Sequence, residues 1–304
     1  MKRVLLTGYS GFTGYYVSKA LIEAGHEVVC LSDDGTFLGK RIDLLNFDSI
    51  RMLIQNCRPS VVIHLAAVSS VTHENTSDFY RVNVLGTKNL LEACIDSSVQ
   101  QFFLASSANV YGDQYTGLIK ETFARNPKND YAVSKSAAED IANLYRNYFS
   151  VAVLRPFNYT GVGQSKNFLI PKIVNAFKKR EDVLELGNID VARDFSDVRF
   201  VARVYASMVA RENINDTINV CSGKPIKLKE IVSLCSDLVS HKLRLLVNQK
   251  FVRKNDVMFQ YGSTEKLASY VNMQEVMTVQ ETLSWMLNSN DNLIWPAQVG
   301  KKSL

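Results

Sequence analysis

The first 25 residues carry a pattern that constrains the fold more than any other part of the chain. An apolar run, Val4-Leu5-Leu6-Thr7, is followed by three glycines spaced G-x-x-G-x-x-G and by an amphipathic stretch. This order predicts a strand, a tight turn and a helix. Glycines let the turn approach a pyrophosphate, and the free amides and dipole at the helix N-terminus favour its charge. The pattern therefore predicts a dinucleotide site, formed by Gly8, Gly11, Phe12, Thr13 and Gly14.

Apolar runs recur along the first half of the chain and alternate with helical patterns. The runs lie at 27–32, 61–67, 101–105 and 151–154, and one helix begins near Asn83. Buried strands that alternate with helices form a parallel sheet covered on both faces. We therefore predict an α/β fold: a doubly wound parallel sheet of about seven strands, a Rossmann domain, joined to a second, smaller α/β lobe that binds substrate.

The expected domain boundaries follow from the same pattern. Residues 1–160 form the dinucleotide-binding domain, and residues 161–304 form the substrate lobe, which begins after an irregular, glycine-punctuated segment. A return segment at about 194–222, with a late strand at 217–221, rejoins the first domain. The lobe is therefore expected to be discontinuous.

Residues after the second and third strands extend the predicted cofactor site. Asp33, followed by Asp34, can accept the adenosine ribose hydroxyls and repel a 2′-phosphate, which favours NADH slightly over NADPH. The equal alternative is that both aspartates only begin a loop. Further on, Asp43 is expected against the adenine amino group. The residues expected beside it or close to the cofactor are Leu44, Leu65, Ala66 and Ala67.

Composition and charge exclude several classes of function. The 304 residues are 46% hydrophobic and 21% charged, with a net charge of +5, which is typical of a globular protein. Lysines and arginines are scattered, so we expect no nucleic-acid partner. No apolar stretch matches a membrane span or a signal peptide, so we expect no membrane partner and a cytoplasmic location. Five unevenly spaced cysteines indicate buried thiols, and the four histidines lack metal-ligand spacing, so we expect no metal site.

Three residues in the middle of the chain are candidates for catalysis. Tyr131 and Lys135 are four residues apart on a predicted helix and therefore share a face. An ammonium beside the phenol favours the phenolate, and lowering the tyrosine pKa from about 10 to about 7 requires about 4 kcal/mol, which one lysine plus a cationic ring could supply. Ser107 follows a buried strand, so its hydroxyl is expected at a carboxyl end, where open α/β sheets bind ligands. The alternative is that Tyr131 and Lys135 only pack against each other.

Together these residues resemble the extended short-chain dehydrogenase/reductase family over nearly the whole chain. The motifs are Gly8-x2-Gly11-x2-Gly14, His64-Leu65-Ala66-Ala67, Ser107 before Val110-Tyr111-Gly112, and Tyr131-x3-Lys135. The resemblance implies that Ser107, Tyr131 and Lys135 form a catalytic triad and that Tyr131, Lys135 and Pro156 also contact NAD(P)H. Family members move a hydride between nicotinamide and a carbon of a nucleotide-linked sugar. A homodimer is also expected, although the sequence does not fix the oligomeric state.

The segment 186–198 indicates which enzymes within this family the chain resembles. It is similar to a signature of enzymes that handle GDP-linked 6-deoxy-4-ketosugars, and with 219–223 it looks most like bacterial GDP-4-keto-6-deoxy-D-mannose reductases, which make GDP-D-rhamnose. Arg253 departs from the family pattern because no proline follows it. The resemblance and the chemistry of guanidinium groups on phosphate together give these expected substrate-binding residues: Ser69, Ser107, Asn109, Asn158, Phe168, Lys172, Leu186, Asn188, Asp190, Arg193 and Arg253.

Two of these residues carry the expected specificity. Asn109 stands where relatives that dehydrate the sugar have a glutamate, and an amide cannot exchange a proton near neutrality, which argues against a 4,6-dehydratase but not against a 4-epimerase. Asp190 can accept the N1-H and N2-H2 donors of guanine, although it is as often a turn residue. We therefore expect hydride transfer from NAD(P)H to the C4 keto group of a GDP-4-keto-6-deoxy sugar, with Tyr131 as general acid. The alternative of another class is a non-catalytic dinucleotide sensor.

Overall fold

Strands and helices alternate along most of the chain in the computed structural model, which describes residues 1–31, 35–69, 73–249 and 257–290. The strands within these ranges are β1 Arg3–Thr7, β2 Glu27–Cys30, β3 Thr36–Phe37, β4 Lys40–Arg41, β5 Val61–His64, β6 Gln101–Ala105, β7 Gly117–Ile119, β8 Ser150–Pro156, β9 Asn158–Thr160, β10 Val183–Leu186, β11 Ala192–Asp197, β12 Thr217–Val220, β13 Pro225–Lys227, β14 Arg244–Val247 and β15 Phe259–Gly262. The α-helices are α1 Phe12–Glu23, α2 Phe47–Cys57, α3 Thr87–Cys94, α4 Asp130–Leu144, α5 Leu169–Lys178, α6 Val198–Val209, α7 Leu228–Val239 and α8 Val279–Asn288.

The central sheet is parallel and has the strand order β12-β8-β6-β5-β1-β2. The strand order reverses between β1 and β5, and at such a point open α/β sheets bind ligands beyond the strands' carboxyl ends. The doubly wound parallel fold is confirmed. The described residues give this sheet six strands rather than about seven, because β3 and β4 pair with each other as a short antiparallel hairpin. Gly35 precedes the hairpin and Gly39 lies in its turn; both have positive φ, which lets the backbone fold back there.

Helices cover both faces of this sheet. On one face α1 and α6 pack together, with Val17 and Tyr205 in the core, and on the other face α2, α3 and α4 bury side chains that include Leu53 and Leu90. Strand β5 is buried at every position, as expected for a strand covered on both sides. The helices cover the two faces of the sheet and leave the carboxyl ends of its strands uncovered.

The helix expected near Asn83 begins earlier than the sequence pattern indicates. Residues Phe79–Gly86 form a π-helix that continues into α3. Asn83 is buried in it, and its amide bonds to both the N–H and the carbonyl of Val68 and to the hydroxyl of Ser134 on α4. The widened turn thus ties the segment after β5 to α4.

A second layer is built from α5, α7 and α8, which enclose a core that includes Ile173, Phe177 and Ile231. Strands β10 and β14 pair beside it, and β11 pairs with β9, β13 and β15. After β11 the chain returns to the central sheet through α6 and β12. Within the described ranges, no helix is both long and apolar enough to cross a lipid bilayer.

All five cysteines carry free thiols. Cys57, Cys94, Cys221 and Cys235 are buried and Cys30 is partly buried, so the predicted buried thiols are present.

Candidate active site

The glycine turn lies directly against the end of β5. Gly8 has a φ of +75°, and a Cβ on it would lie 2.7 Å from the amide nitrogen of Ala66. A Cβ on Gly14 would lie 2.1 Å from the carbonyl oxygen of Gly8, so the first turn of α1 packs onto the glycine turn itself. No side chain caps the N-terminus of α1 at Gly11. Uncapped amides beside a glycine-rich turn suit the diphosphate of a dinucleotide, so these residues fit NAD(P).

Tyr159 joins this turn to the centre of the site, and the sequence analysis missed it. Its hydroxyl is 2.8 Å from that of Thr13, and its ring stacks on Phe12 with centroids 6.1 Å apart. Tyr159 also lies near enough to Tyr131 to raise the pKa of that phenol. Its position next to Asn158, in a segment already expected to bind substrate, was the available signal.

The three predicted catalytic residues come together where β6 ends. Ser107 follows β6 and begins a short 3₁₀ helix, Ala108–Tyr111, and its hydroxyl is hydrogen-bonded to the phenol of Tyr131 in the first turn of α4. One helical turn further, the Nζ of Lys135 donates to the carbonyl of Ala105 at 2.7 Å. The helix begins at this point because the Asn129 side chain accepts from the N–H of Ala132.

The protonation of the phenol differs from the sequence-based expectation. Burial raises the pKa of Tyr131 to about 12, Tyr159 adds to the effect, and the hydrogen bond from Ser107 opposes it. Lys135 alone therefore does not bring this pKa towards 7, and the shift expected from Lys135 together with a cationic ring stays a prediction. Burial lowers the pKa of Lys135 to about 8, against the attraction of Glu139. A phenol that is protonated at neutral pH is in the form that a general acid requires.

His64 is a structural residue beside this group. Its ring is buried, with hydrogen bonds to Thr7 at 2.7 Å and Thr87 at 3.1 Å. Burial, with a contribution from Lys135, lowers the pKa of His64 to about 3, so the ring is neutral. In the part of the chain that the structure describes, no three His, Cys, Asp or Glu side chains cluster in a way that could hold a metal ion.

Four further predicted cofactor residues lie where strands β5 and β8 end. Leu65, Ala66 and Ala67 directly follow β5 and are partly buried, and Pro156 is the last residue of β8. Asp33 lies outside the described residues.

Asp43 and Leu44 lie in the loop before α2. Asp43 is exposed, and its carboxylate accepts from the N–H of Leu45 at 2.9 Å. The carbonyl of Leu44 accepts from Asn89 at 2.9 Å. The contact of Asp43 with adenine stays a prediction.

The residues predicted to bind substrate fall into two groups. The first group precedes β10 in the chain: Ser69 and Asn109 are exposed, and the amide of Asn158 donates to the carbonyl of Asp194 at 3.2 Å. Phe168 is exposed directly before α5, and Lys172 on that helix donates to the carbonyl of Glu185 at 2.8 Å.

The second group surrounds β10 and β11. Leu186 is buried at the end of β10, and the side chain of Asn188 accepts from the N–H of Asp190 at 3.1 Å. Asp190 is exposed, and its carboxylate pairs with Lys229 at 2.7 Å, so an incoming base would have to share it. Arg193 lies on β11 and donates to the carbonyl of Ala192 at 3.0 Å. Arg253 lies outside the described residues.

Asp194, next to Arg193, is a further residue that the sequence analysis did not single out. It is fully buried and accepts from the N–H and hydroxyl of Ser222, at 2.9 and 2.6 Å, and from the N–H of Gly223 at 2.8 Å. These bonds hold β11 against the segment that follows β12. Burial raises the pKa of Asp194, although the hydrogen bonds from Ser222, Gly223 and the N–H of Gly262 lower it. Asp194 therefore fixes the backbone from which Arg193 projects.

Comparison with known proteins gives consistent matches. Residues 4–221 match the sequence profile described as the NAD dependent epimerase/dehydratase family. Over 267 residues the chain is 36% identical to the GDP-6-deoxy-D-talose 4-dehydrogenase of Aggregatibacter actinomycetemcomitans, covering 87% of this chain and 90% of that protein. It is 31% identical over 299 residues to the GDP-6-deoxy-D-mannose reductase of Pseudomonas aeruginosa, covering 94% and 96%. The structure of RMD from Pseudomonas aeruginosa complexed with NADPH covers 94% of this chain and 96% of its own, with a TM-score of 0.82 and 30% identity.

Proposed function

The chain belongs to the NAD dependent epimerase/dehydratase family, and from this premise we propose that it reduces the C4 keto group of a GDP-linked 4-keto-6-deoxy sugar. It is an NAD(P)-dependent enzyme of the extended short-chain dehydrogenase/reductase type. Two relatives with at least 31% identity are a dehydrogenase and a reductase of GDP-linked 6-deoxy sugars. Both names place the chemistry on a GDP-linked 6-deoxy sugar, which supports the choice of substrate.

The observation that carries the proposal is a protonated phenol beside a serine hydroxyl at the carboxyl end of β6. In the proposed reaction Ser107 and Tyr131 hold the sugar's carbonyl oxygen by two hydrogen bonds. Bound NAD(P)H supplies the hydride to the carbonyl carbon. As negative charge develops on the oxygen, Tyr131 donates its proton and becomes a phenolate, which water later reprotonates. The ammonium of Lys135 stabilises that phenolate and holds the cofactor ribose.

The proposed binding residues follow the sheet and the second layer. The glycine turn with Phe12 and Thr13 takes the cofactor diphosphate, and Leu65, Ala66 and Ala67 lie along its path. The lobe at 161–304, joined to the domain at 1–160 with its return segment at about 194–222, takes the nucleotide sugar.

In that lobe Arg193 is the proposed diphosphate contact, since its guanidinium can fork onto phosphate oxygens. Asn158 and Lys172 are proposed beside it. Asp190 is the proposed acceptor for the N–H donors of guanine. Its carboxylate would then be shared between the base and Lys229.

Asn109 argues against dehydration of the sugar. It is exposed in the short helix after Ser107, and its amide cannot act as acid and base near neutrality. The hydride-transfer residues remain, so reduction is preferred.

A panel of nucleotide-linked 4-ketosugars tests the proposal, with the absorbance of NADH or NADPH followed. We expect oxidation of the cofactor with GDP-4-keto-6-deoxymannose and much slower oxidation with UDP- or dTDP-linked ketosugars. Conversion of one sugar epimer into the other without net loss of NAD(P)H would assign a 4-epimerase instead. Binding of the cofactor with no turnover on any substrate would assign the dinucleotide sensor.

We also propose that the enzyme is a homodimer in the cytoplasm. Large apolar side chains are exposed on the π-helix, at Tyr80 and Leu85, and on α4, at Val133 and Leu144. Two copies meeting through these helices would cover them. Analytical ultracentrifugation should show a dimer, and Leu85→Lys should weaken its association. A monomeric parent would contradict the proposed homodimer. The free thiols suit a reducing compartment, which cell fractionation tests.

A further inference from the structure

Behind the catalytic residues, α4 carries a third polar side chain on the same face. Glu139 follows Lys135 by one helical turn, as Lys135 follows Tyr131. Its side chain is only 2% exposed. Its carboxylate bonds to Ser106, Arg155 and Arg125, and the proposed reaction does not use it directly.

Three consecutive residues at the end of β6 bond to these three helix residues. Ala105 accepts from Lys135 at 2.7 Å, Ser106 donates its hydroxyl to the Glu139 carboxylate, and Ser107 is bonded to Tyr131. Each bond fixes the strand end against the helix at a different height. We name this set of three bonds the strand–helix ladder.

Glu139 is held in turn by a buried arginine on β8. Arg155 donates to the two carboxylate oxygens at 2.9 and 2.6 Å, and its third nitrogen donates to the hydroxyl of Tyr111 at 2.9 Å. Tyr111 donates to Asn219 on β12 at 2.7 Å. Two buried charges with all their partners in place form a rigid unit, whereas removing one charge leaves the other uncompensated.

We infer that Glu139, braced by Arg155, is a positioning residue that sets the register between Ser107, Tyr131 and Lys135 and holds Lys135 in its charged form. The inference rests on the proposed function, because it concerns the same catalytic group. Ser106 is the direct neighbour of Ser107 in the chain, so a shift of the Glu139 bond would move both the serine hydroxyl and the phenol. An error of about 1 Å in such a group can cost about 100-fold in rate.

Charge around Lys135 comes from several elements. His64 on β5 is neutral and Tyr131 is protonated. Arg155 on β8 and Arg125, which lies 3.4 Å from the Glu139 carboxylate, are both positive and pair with Glu139. Within the described chain, Glu139 is the carboxylate that attracts a proton to Lys135. Removing its charge lowers the pKa of Lys135 below its present value of about 8, so more of the lysine is neutral at pH 7.

The test is Glu139→Gln, which keeps the size of the side chain and removes its charge. We expect kcat at neutral pH to fall about tenfold or more, with KM for the cofactor changed by less than about twofold. Activity that requires protonated Lys135 is lost as the pH rises through its pKa, so the basic limb of the kcat profile should move down by about one pH unit. The control is Glu92→Gln, which removes an exposed carboxylate on α3 that pairs with Lys88. It should leave the limb in place.

A second variant separates positioning from stability. The double variant Glu139→Gln/Arg155→Met removes both buried charges and should recover stability relative to Glu139→Gln. Its basic limb should remain displaced, since Lys135 still lacks its carboxylate. The inference would be overturned if the basic limb of the kcat profile lay at the parent's pH in the double variant. The same result in Glu139→Gln would also overturn it.

The titration of Lys135 can also be followed without turnover. Nuclear magnetic resonance of the labelled Lys135 side chain, assigned with Lys135→Met, reports its pKa in the parent and in both variants. A lower pKa in the variants supports the role of Glu139 even if no sugar is reduced, and an equal pKa overturns it. Absence of turnover in the parent would refute the proposed function alone.

Discussion

Replacement of Tyr131 by phenylalanine tests the central chemical step. The ring lies edge-on to Phe79, with centroids 6.1 Å apart, and phenylalanine keeps this packing while it removes the hydroxyl bonded to Ser107. The variant should therefore fold and bind NAD(P)H as the parent does. What it loses is the proton donor for the developing alkoxide.

The expected loss follows from the state of the phenol. Because burial keeps the pKa of Tyr131 at about 12, nearly every parent molecule carries the proton at neutral pH, and the whole contribution of a general acid is at stake. Such a contribution is about 10² to 10⁴-fold in kcat, or about 3 to 5 kcal/mol in the barrier. Steady-state kinetics with NAD(P)H and the GDP-linked ketosugar measures it, and cofactor titration checks that binding is unchanged.

Tyr145→Phe is the control, because it removes a phenol hydroxyl from the C-cap of the same helix. It should leave kcat within about twofold of the parent. If Tyr131→Phe also retained turnover within about twofold of the parent, Tyr131 would not be the acid. Weaker cofactor binding in Tyr131→Phe, with kcat preserved, would instead indicate a binding role for the hydroxyl.

Three further results are expected. Gly14→Ala should weaken NAD(P)H binding at least about tenfold, because the new Cβ would lie 2.1 Å from the carbonyl oxygen of Gly8; calorimetry measures this, and an unchanged affinity would contradict the placing of the diphosphate. Asp33→Arg should shift the cofactor preference towards NADPH, because the arginine would pair with the 2′-phosphate. If the parent already prefers NADPH by more than about tenfold, or about 1.4 kcal/mol, the predicted contact of Asp33 with the ribose is wrong. Titration of the parent with GDP, UDP and dTDP should favour GDP by about 1 to 3 kcal/mol, and equal affinities would remove the role of Asp190 at guanine.

Local sequence patterns were sufficient for the parts of the site that depend on a short stretch of chain. The glycine spacing at the start of α1 predicts a tight turn, and the four-residue spacing of Tyr131 and Lys135 predicts that they share a helix face. Each prediction depends on a single turn or a single helix, so no tertiary contact is needed to make it. The alternation of apolar runs with helices likewise predicted the parallel sheet that the structure has.

Properties that arise from tertiary packing were missed. The carbonyl of Ala105 engages Lys135, and burial raises the pKa of Tyr131, and neither follows from the spacing of the two side chains. Glu139 continues the helical spacing, but its partner Arg155 lies on a strand 16 residues away. The number of strands was overestimated because the chain after β2 turns back into its own hairpin.

The strand–helix ladder has a consequence for how such enzymes can diverge. Its three bonds join residues between Ala105 and Glu139, so the groups that react are aligned by neighbours close in the chain. The proposed contacts with the diphosphate and the base of the nucleotide sugar begin only at Asn158. Substitutions that change which nucleotide or sugar is held can therefore accumulate in the lobe while the reacting atoms keep their alignment. The residues that recognise the substrate can therefore change independently of those that carry out hydride transfer, and Arg155 lies in the chain between the two sets.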